Sequence, residues 1–210
     1  VLFFFTWITN RPSKEVVITE EKIALSSDKK SITSDDVAIL SIENDVIFNW
    51  FKTESQLCDG SNINSNPDRK SFCEDKDTFK NMARFKSMVV SPDNTVVGFT
   101  IESDTLTPDT VVGVVYPYEG GKVTILSSYY LGNEFLSFSP SGKYFVYKSG
   151  CFEGNCALYV KDVVTLSDRI NFIPKEADVR GKYEFIRWIS DDEIEFTLNG
   201  ELQKSFLDIK

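Results

Sequence analysis

The four cysteines are the residues of this 210-residue chain whose spacing points most clearly to chemistry. Fourteen residues lie between Cys58 and Cys73 and four lie between Cys151 and Cys156, so the cysteines form two local pairs. A zinc site needs two closely spaced cysteine pairs or histidine partners, and the sequence offers neither. The spacing therefore predicts two disulfides, with four independent reduced thiols as the alternative. A cross-link around a loop like the longer one adds about 3 kcal/mol of stability.

The absence of histidine limits the reactions that this chain can catalyse. It excludes Ser-His-Asp and Cys-His nucleophilic sites as well as histidine-ligated zinc. Two carboxylates suffice for glycoside hydrolysis, and Glu134 and Glu184 hold matching places in two repeated segments. A structural role, as solvent-facing residues at the starts of strands, explains these two glutamates better than a catalytic role, because a shared position in a fold does not by itself indicate an active site. We assign no catalytic residue and keep a carboxylate-dependent, glycosidase-like hydrolase as the alternative function.

The polar segment between Cys58 and Cys73 carries oxygen-bearing side chains of the type that calcium prefers. These side chains are Asp59, Asn62, Asn64, Asn66 and Asp68. Their spacing does not match an EF-hand, so an ordinary surface loop rich in Asp and Asn is the alternative explanation. Calcium is the one cofactor that the sequence suggests.

The charge and composition of the chain limit the kind of partner it can bind and the kind of fold it can form. A net charge of −9 and a pI of about 4.7 argue against a nucleic-acid partner, because phosphate backbones are bound through clustered Lys and Arg. Hydrophobic residues make up 41% of the chain, and 17 of them are Phe, which is enough for one well-buried domain. Helical signals are few, with one short helix expected within residues 75–84.

Three segments of the chain repeat one design, at residues 88–99, 134–147 and 184–196. With Val90, Phe138 and Trp188 taken as equivalent, the steps are 48 and 50 residues. Each segment has an apolar run, a tight turn that contains Ser-Pro in two of the three copies, and a second β-prone run. A looser copy at residues 25–32 precedes Val90 by 65 residues, and this longer step contains the polar insert between Trp50 and Phe79.

Each repeated segment predicts a β-hairpin, and further β-prone runs follow at residues 111–116, 122–126 and 157–162. Four strands per unit and a period near 50 residues are typical of a propeller-like array, since one unit cannot bury its apolar face alone. We therefore predict an all-β fold with about four antiparallel sheet repeats, in a closed or an open ring. A β-sandwich is the alternative.

The strings at residues 138–144 and 188–194 resemble the Trp-Ser-Pro-Asp-Gly-Lys signature of TolB-like propeller repeats. The same signature occurs in the propeller domains of prolyl-oligopeptidase-type peptidases. The resemblance covers roughly residues 85–200 and implies a β-propeller fold. Two departures from the family pattern are the missing turn proline in the third copy and the small number of repeats.

Repeat scaffolds often bind partners through loops on one rim, which favours a non-catalytic binding domain for a protein, peptide or glycan. Aromatic side chains predicted in loops are the candidates for such a surface, with core packing as the alternative explanation. They are Tyr116, Tyr118, Tyr129, Tyr130 and Phe152.

The first residues of the chain bear on its location. Residues 1–12 begin with an apolar run and resemble the end of a membrane anchor or signal segment, although eight apolar residues are too few to span a bilayer. An N-terminal strand paired with residues 202–207 is the alternative. Together with the paired cysteines, this run predicts an extracytoplasmic domain over residues 13–210, periplasmic, secreted or on the cell surface, with a membrane tether as one option.

Overall fold

The computed structural model describes residues 22–54, 58–60, 67–103, 110–127, 132–152, 155–172 and 182–207. In this part of the chain fourteen strands form four antiparallel sheets, and within each sheet the strands follow one another in chain order. The predicted all-β class is confirmed, and the strands form four sheets rather than the two of a sandwich. The apolar segment at residues 1–12 lies outside the described residues.

The first sheet consists of β1 (Ile23–Leu25), β2 (Ser31–Ser34) and β3 (Val37–Ser41). The second consists of β4 (Ala83–Val90), β5 (Val97–Ser103), β6 (Thr110–Tyr116) and β7 (Lys122–Ser127). The third consists of β8 (Glu134–Phe138), β9 (Tyr144–Phe152), β10 (Asn155–Asp162) and β11 (Asp168–Phe172). The fourth consists of β12 (Tyr183–Trp188), β13 (Glu193–Leu198) and β14 (Glu201–Phe206).

The helices α1 (Asp45–Glu54), α2 (Pro67–Glu74) and α3 (Lys76–Met82) lie between the first and second sheets. The helix expected within residues 75–84 is confirmed as α3, whose N-cap Asp75 accepts a hydrogen bond from the amide of Asp77. Residues 67–74, by contrast, form a helix where the sequence suggested a loop. Pro67 opens this helix at a position where its missing N–H costs nothing, and Phe72 anchors it in the core.

Three apolar cores hold the four sheets in succession. Ile32 of the first sheet shares a core with Phe85 and Phe99 of the second. The second and third sheets meet around Val114 and Phe135, and a further core joins the third sheet to the fourth. Among the described residues, no buried cluster joins the fourth sheet to the first.

The first turns of the first three sheets have the same hydrogen bonds. Ser91 donates its amide to the carbonyl of Val96, and its hydroxyl accepts the Val96 amide, both at 2.9 Å. Ser139 has the same two bonds to Tyr144, and the equivalent serine of the first sheet is Ser26. The residue three positions after each serine has a positive φ; these residues are Lys29, Asn94 and Gly142. The looser copy at residues 25–32 therefore has the local structure of the other two.

A β-bulge follows an equivalent phenylalanine in three of the sheets. The pairing register shifts after Phe85, Phe135 and Phe185, which are 50 residues apart. The serine of the following turn comes six residues after this phenylalanine in the second sheet, from Phe85 to Ser91. In the third sheet it comes only four residues after it, from Phe135 to Ser139. Strand β4 thus carries two extra residues, and this explains why the turn-based alignment has unequal steps of 48 and 50.

Candidate partner-binding site

The hairpin turns of neighbouring sheets lie side by side at one edge of the structure, here called the turn edge. Gly142 of the third sheet lies against Pro92 of the second, since a Cβ on the glycine would be 3.3 Å from the proline Cδ. The amide of Ser141 donates to the Asp191 carboxylate of the fourth sheet at 2.8 Å. The turn edge therefore forms a continuous surface across three sheets.

A groove of about 310 Å³ opens at the turn edge between the second and third sheets. We call it the rim groove. Its lining comes from the turns that follow β4, β6 and β10, and from the start of β7. The lining residues are Thr95, Val96, Tyr116, Tyr118, Glu119, Lys122, Val163, Val164 and Leu166.

Tyr116 forms the base of the rim groove and fixes its two sides together. It ends β6 with 9% of its surface exposed, and its hydroxyl donates to the carbonyl of Val163 at 2.8 Å. The amide of Val163 in turn donates to the Lys143 carbonyl at 3.0 Å. Burial raises the pKa of the Tyr116 phenol, and the carboxylates of Glu119 and Asp162 raise it further. The phenol is therefore a neutral hydrogen-bond donor throughout the physiological pH range.

The turn after β10 forms one wall of the rim groove, and the Asp162 carboxylate organises it. One carboxylate oxygen accepts the amides of Val164 and Thr165, both at 2.9 Å, and the other accepts from Arg169 at 3.2 Å. Burial alone would raise the pKa of Asp162, but these hydrogen bonds outweigh it and lower the pKa below its ordinary value. The turn leaves Val164 87% exposed, more than any other large hydrophobic residue that the structure describes.

A second wall is the 3-10 turn Pro117–Glu119, between β6 and β7. The turn leaves Tyr118 59% exposed. Gly120 and Gly121 follow with φ of 70° and 71°, which is the left-handed region that glycine adopts without strain. These two glycines let the chain reverse direction into β7 and leave the tyrosine in the groove lining.

One cation lies at the rim groove between an aromatic ring and a carboxylate. The Lys122 Nζ atom is 5.6 Å from the centre of the Tyr116 ring and 3.9 Å from Oε2 of Glu119. Both charged side chains are largely exposed, 65% for the lysine and 60% for the glutamate. The groove thus combines apolar side chains with the face of the Tyr116 ring and the carboxylate of Glu119.

The structure brings together two of the five predicted partner-binding residues, Tyr116 and Tyr118. Tyr129, Tyr130 and the side chain of Phe152 lie outside the described residues. Sequence reasoning missed the wall formed by Val163, Val164 and Leu166. The available signal was an apolar Val-Val pair directly after Asp162, at the point where the β-prone run ends.

The structure contains the predicted disulfide between Cys58 and Cys73, and both residues are buried in the first core. Cys156 is also disulfide-bonded. The side chain of Cys151, its predicted partner, is outside the described residues.

Of the five candidate calcium ligands, the structure describes Asp59 and Asp68. Asp59 is exposed, and Asp68 lies in the first turn of α2. Asn62, Asn64 and Asn66 are outside the described ranges, and within those ranges no cluster of three or more His, Cys, Asp or Glu could hold a metal ion. Calcium binding stays a prediction.

The two repeated glutamates both form ion pairs. Glu134 lies 2.6 Å from the Lys148 ammonium, and Glu184 lies 2.7 Å from that of Lys182. The hydrogen bond from Lys182 lowers the pKa of Glu184. A catalytic general acid needs a raised pKa, so this environment suits a structural carboxylate better than a catalytic one.

No family model matches the chain, and no curated protein matches its sequence. Among solved structures, a prolyl endopeptidase has a TM-score of 0.41 and 13% identity, over 56% of this chain and 19% of that one. The chain therefore spans about a fifth of that enzyme's length. In the part of the chain that the model describes, none of the helices is both long and apolar enough to cross a bilayer.

Proposed function

We propose that this chain is an exported, non-catalytic binding domain with TolB-like, β-propeller-like sheet repeats, and that its rim groove binds a peptide segment of a partner protein. The arrangement of the sheets supports the repeat part of the proposal. Equivalent turns and bulges recur in successive sheets, and each sheet packs on the next through an apolar core.

The exposure of Tyr118 and Val164 in the lining of one groove, from two different sheets, is the observation that carries the binding role. Binding sites combine apolar and aromatic side chains with a few polar groups in a concave surface. Tyrosine is enriched at interfaces because its ring buries a large area at little conformational cost. An extended peptide can lie in this groove and cover both side chains.

Export is supported by the buried Cys58–Cys73 disulfide, because structural disulfides persist in oxidising compartments and are rare in the cytosol. A membrane tether through residues 1–12 stays a prediction.

A random peptide display library screened against the purified protein tests the binding role. We expect enriched peptides whose affinity falls at least about ten-fold when Tyr118→Ser and Val164→Ser are combined. The matched control is Leu202→Ser, which changes a side chain that is 60% exposed on β14 of the fourth sheet and does not line the groove. Peptides that bind the double variant as well as the wild type, or binding found only on a glycan array, would contradict the proposal.

A further inference from the structure

We infer that the rim groove recognises a lysine or arginine side chain of the bound peptide, and that Lys122 occupies this cation site when no partner is bound. The inference rests on the proposed function and specifies its partner chemistry.

The geometry around Lys122 is that of a cation site. Its ammonium group lies near the Tyr116 ring and the Glu119 carboxylate, at 5.6 Å from the ring centre and 3.9 Å from Oε2. An aromatic face attracts a cation through its quadrupole, and an adjacent carboxylate adds Coulomb attraction. A cation from another molecule would meet the same two groups.

The lysine is held loosely enough to be displaced. A separation of 3.9 Å is too long for a hydrogen bond, and exposed ion pairs of this kind contribute little stability. The backbone of Lys122 is fixed opposite Tyr116 in the pairing of β6 with β7, while its four-carbon side chain is 65% exposed. The ammonium group can therefore move into solvent without any change in the sheet.

The rest of the groove suits the aliphatic part of such a side chain. Val164 and Leu166 line it, and the methylene groups of lysine or arginine pack on apolar surface while the charged end reaches a polar partner. The tyrosine and the glutamate lie at the same groove. The net charge of −9 also favours the approach of basic segments over acidic ones.

NMR titration of the ¹⁵N-labelled protein with acetyl-Val-Lys-Val-amide tests the inference, and the same peptide with Nε-acetyl-lysine is the comparison. We expect amide shifts at residues 118–122 and 163–166, and about five-fold or greater weakening on lysine acetylation. Lys122→Met should tighten binding of the unmodified peptide roughly three-fold to ten-fold, because no internal cation competes. Glu119→Gln should weaken it.

The matched control is Lys204→Met. Lys204 also lies 3.9 Å from a carboxylate, that of Glu195, and its side chain is 56% exposed on the fourth sheet. This change removes the same charge without touching the groove, so peptide affinity should stay within about two-fold of the wild type.

Equal affinity for the two peptides, or binding that Lys122→Met leaves unchanged or weakens, would overturn the inference. If these results come with groove shifts, the proposed peptide-binding role stands and only the cation specificity fails. If neither peptide shifts the groove, the cation inference fails, and the library screen decides the proposed function on its own.

Discussion

The Phe135 ring of the third sheet lies directly on the backbone of Gly98 in the second. A Cβ atom built on Gly98 would be 2.2 Å from Cζ of the ring, closer than any real contact. The amide of Phe135 donates to the Thr100 hydroxyl at 3.0 Å, which fixes the strand that carries the ring. Close packing of the second and third sheets therefore requires a glycine, which has no side chain, at position 98.

Gly98→Ala should destabilise the fold by about 2 to 3 kcal/mol, because the new methyl group forces a buried aromatic ring to move. Urea unfolding followed by tryptophan fluorescence measures the change.

Gly60→Ala is the matched control, because a Cβ there has no atom within 4 Å, and we expect little change. Combining Gly98→Ala with Phe135→Leu should recover part of the loss relative to the sum of the single changes. Purely additive effects would show that the ring and the glycine do not interact as described.

The repeated hairpins were readable in the sequence because their turns depend on local chemistry. A serine that bonds its own turn and a residue with positive φ three positions later leave a signature that survives in the looser copy from Ser26 to Ser31. The 50-residue spacing of Phe85, Phe135 and Phe185 was equally present in the sequence. It was hidden because the two extra residues of β4 shift the turn relative to the bulge.

Helices α1 and α2 and half of the groove were not readable from the sequence, because tertiary packing decides them. Helix α1 contains a β-prone run of Val, Ile, Phe and Trp, and it is helical because Ile47, Phe48 and Phe51 lie on one face against the first core. The part of the groove formed by Tyr116 and Tyr118 was predictable from aromatic residues beside a turn. The Val164 wall comes from a different sheet, and only the packing of the sheets brings it to the same groove as Tyr118.

Lys30 joins the first sheet to the end of α3, and its loss should be costly. Its ammonium group donates to the carbonyls of Lys80, Asn81 and Ala83, the last two at 3.1 and 2.6 Å. Lys30→Met should cost about 2 kcal/mol of unfolding free energy, because helix-end carbonyls lose a charged donor. Lys29→Met, one residue earlier at an exposed position, should change it little. Equal unfolding curves for the two variants would refute this role.

The Cys58–Cys73 disulfide should hold the helical insert on the first core. Cys58→Ser together with Cys73→Ser should lower the unfolding free energy by about 3 kcal/mol, since the bond closes a loop with a sequence separation of 15 and both sulfurs are buried. Chemical denaturation measures the loss. Mass spectrometry before and after reduction confirms the state of the bond, and an unchanged denaturation midpoint after its reduction would contradict the prediction.

Tyr116→Phe should loosen the joint between the second and third sheets. The change removes the 2.8 Å hydrogen bond to the Val163 carbonyl and leaves that acceptor without its donor, at a cost of about 1 to 2 kcal/mol. Tyr118→Phe is the control with the same atom removed at a 59% exposed position, and it should cost much less. Thermal unfolding measures the loss of stability in each variant. A larger loss for Tyr118→Phe than for Tyr116→Phe would show that the Tyr116 hydroxyl does not hold the two sheets together.

The Asp162 carboxylate should make the groove wall sensitive to acid. Its pKa in the fold is below the ordinary value of 3.8, so its contribution is fully present above that value and disappears as the pH falls through the lowered pKa. Asp162→Asn should therefore be less stable than the wild type by about 1 kcal/mol at pH 7, because an amide accepts the turn amides more weakly. The two stabilities should converge as the pH drops below 4.

Unfolding free energies measured by urea titration from pH 7 to pH 2.5 test this convergence. Asp36→Asn makes the same chemical change in an exposed turn where φ is 66°, a conformation that asparagine tolerates, and its stability at pH 7 should stay within about 0.5 kcal/mol of the wild type. A gap between Asp162→Asn and the wild type that stays constant over the whole range would mean that the ionised carboxylate does not organise the turn.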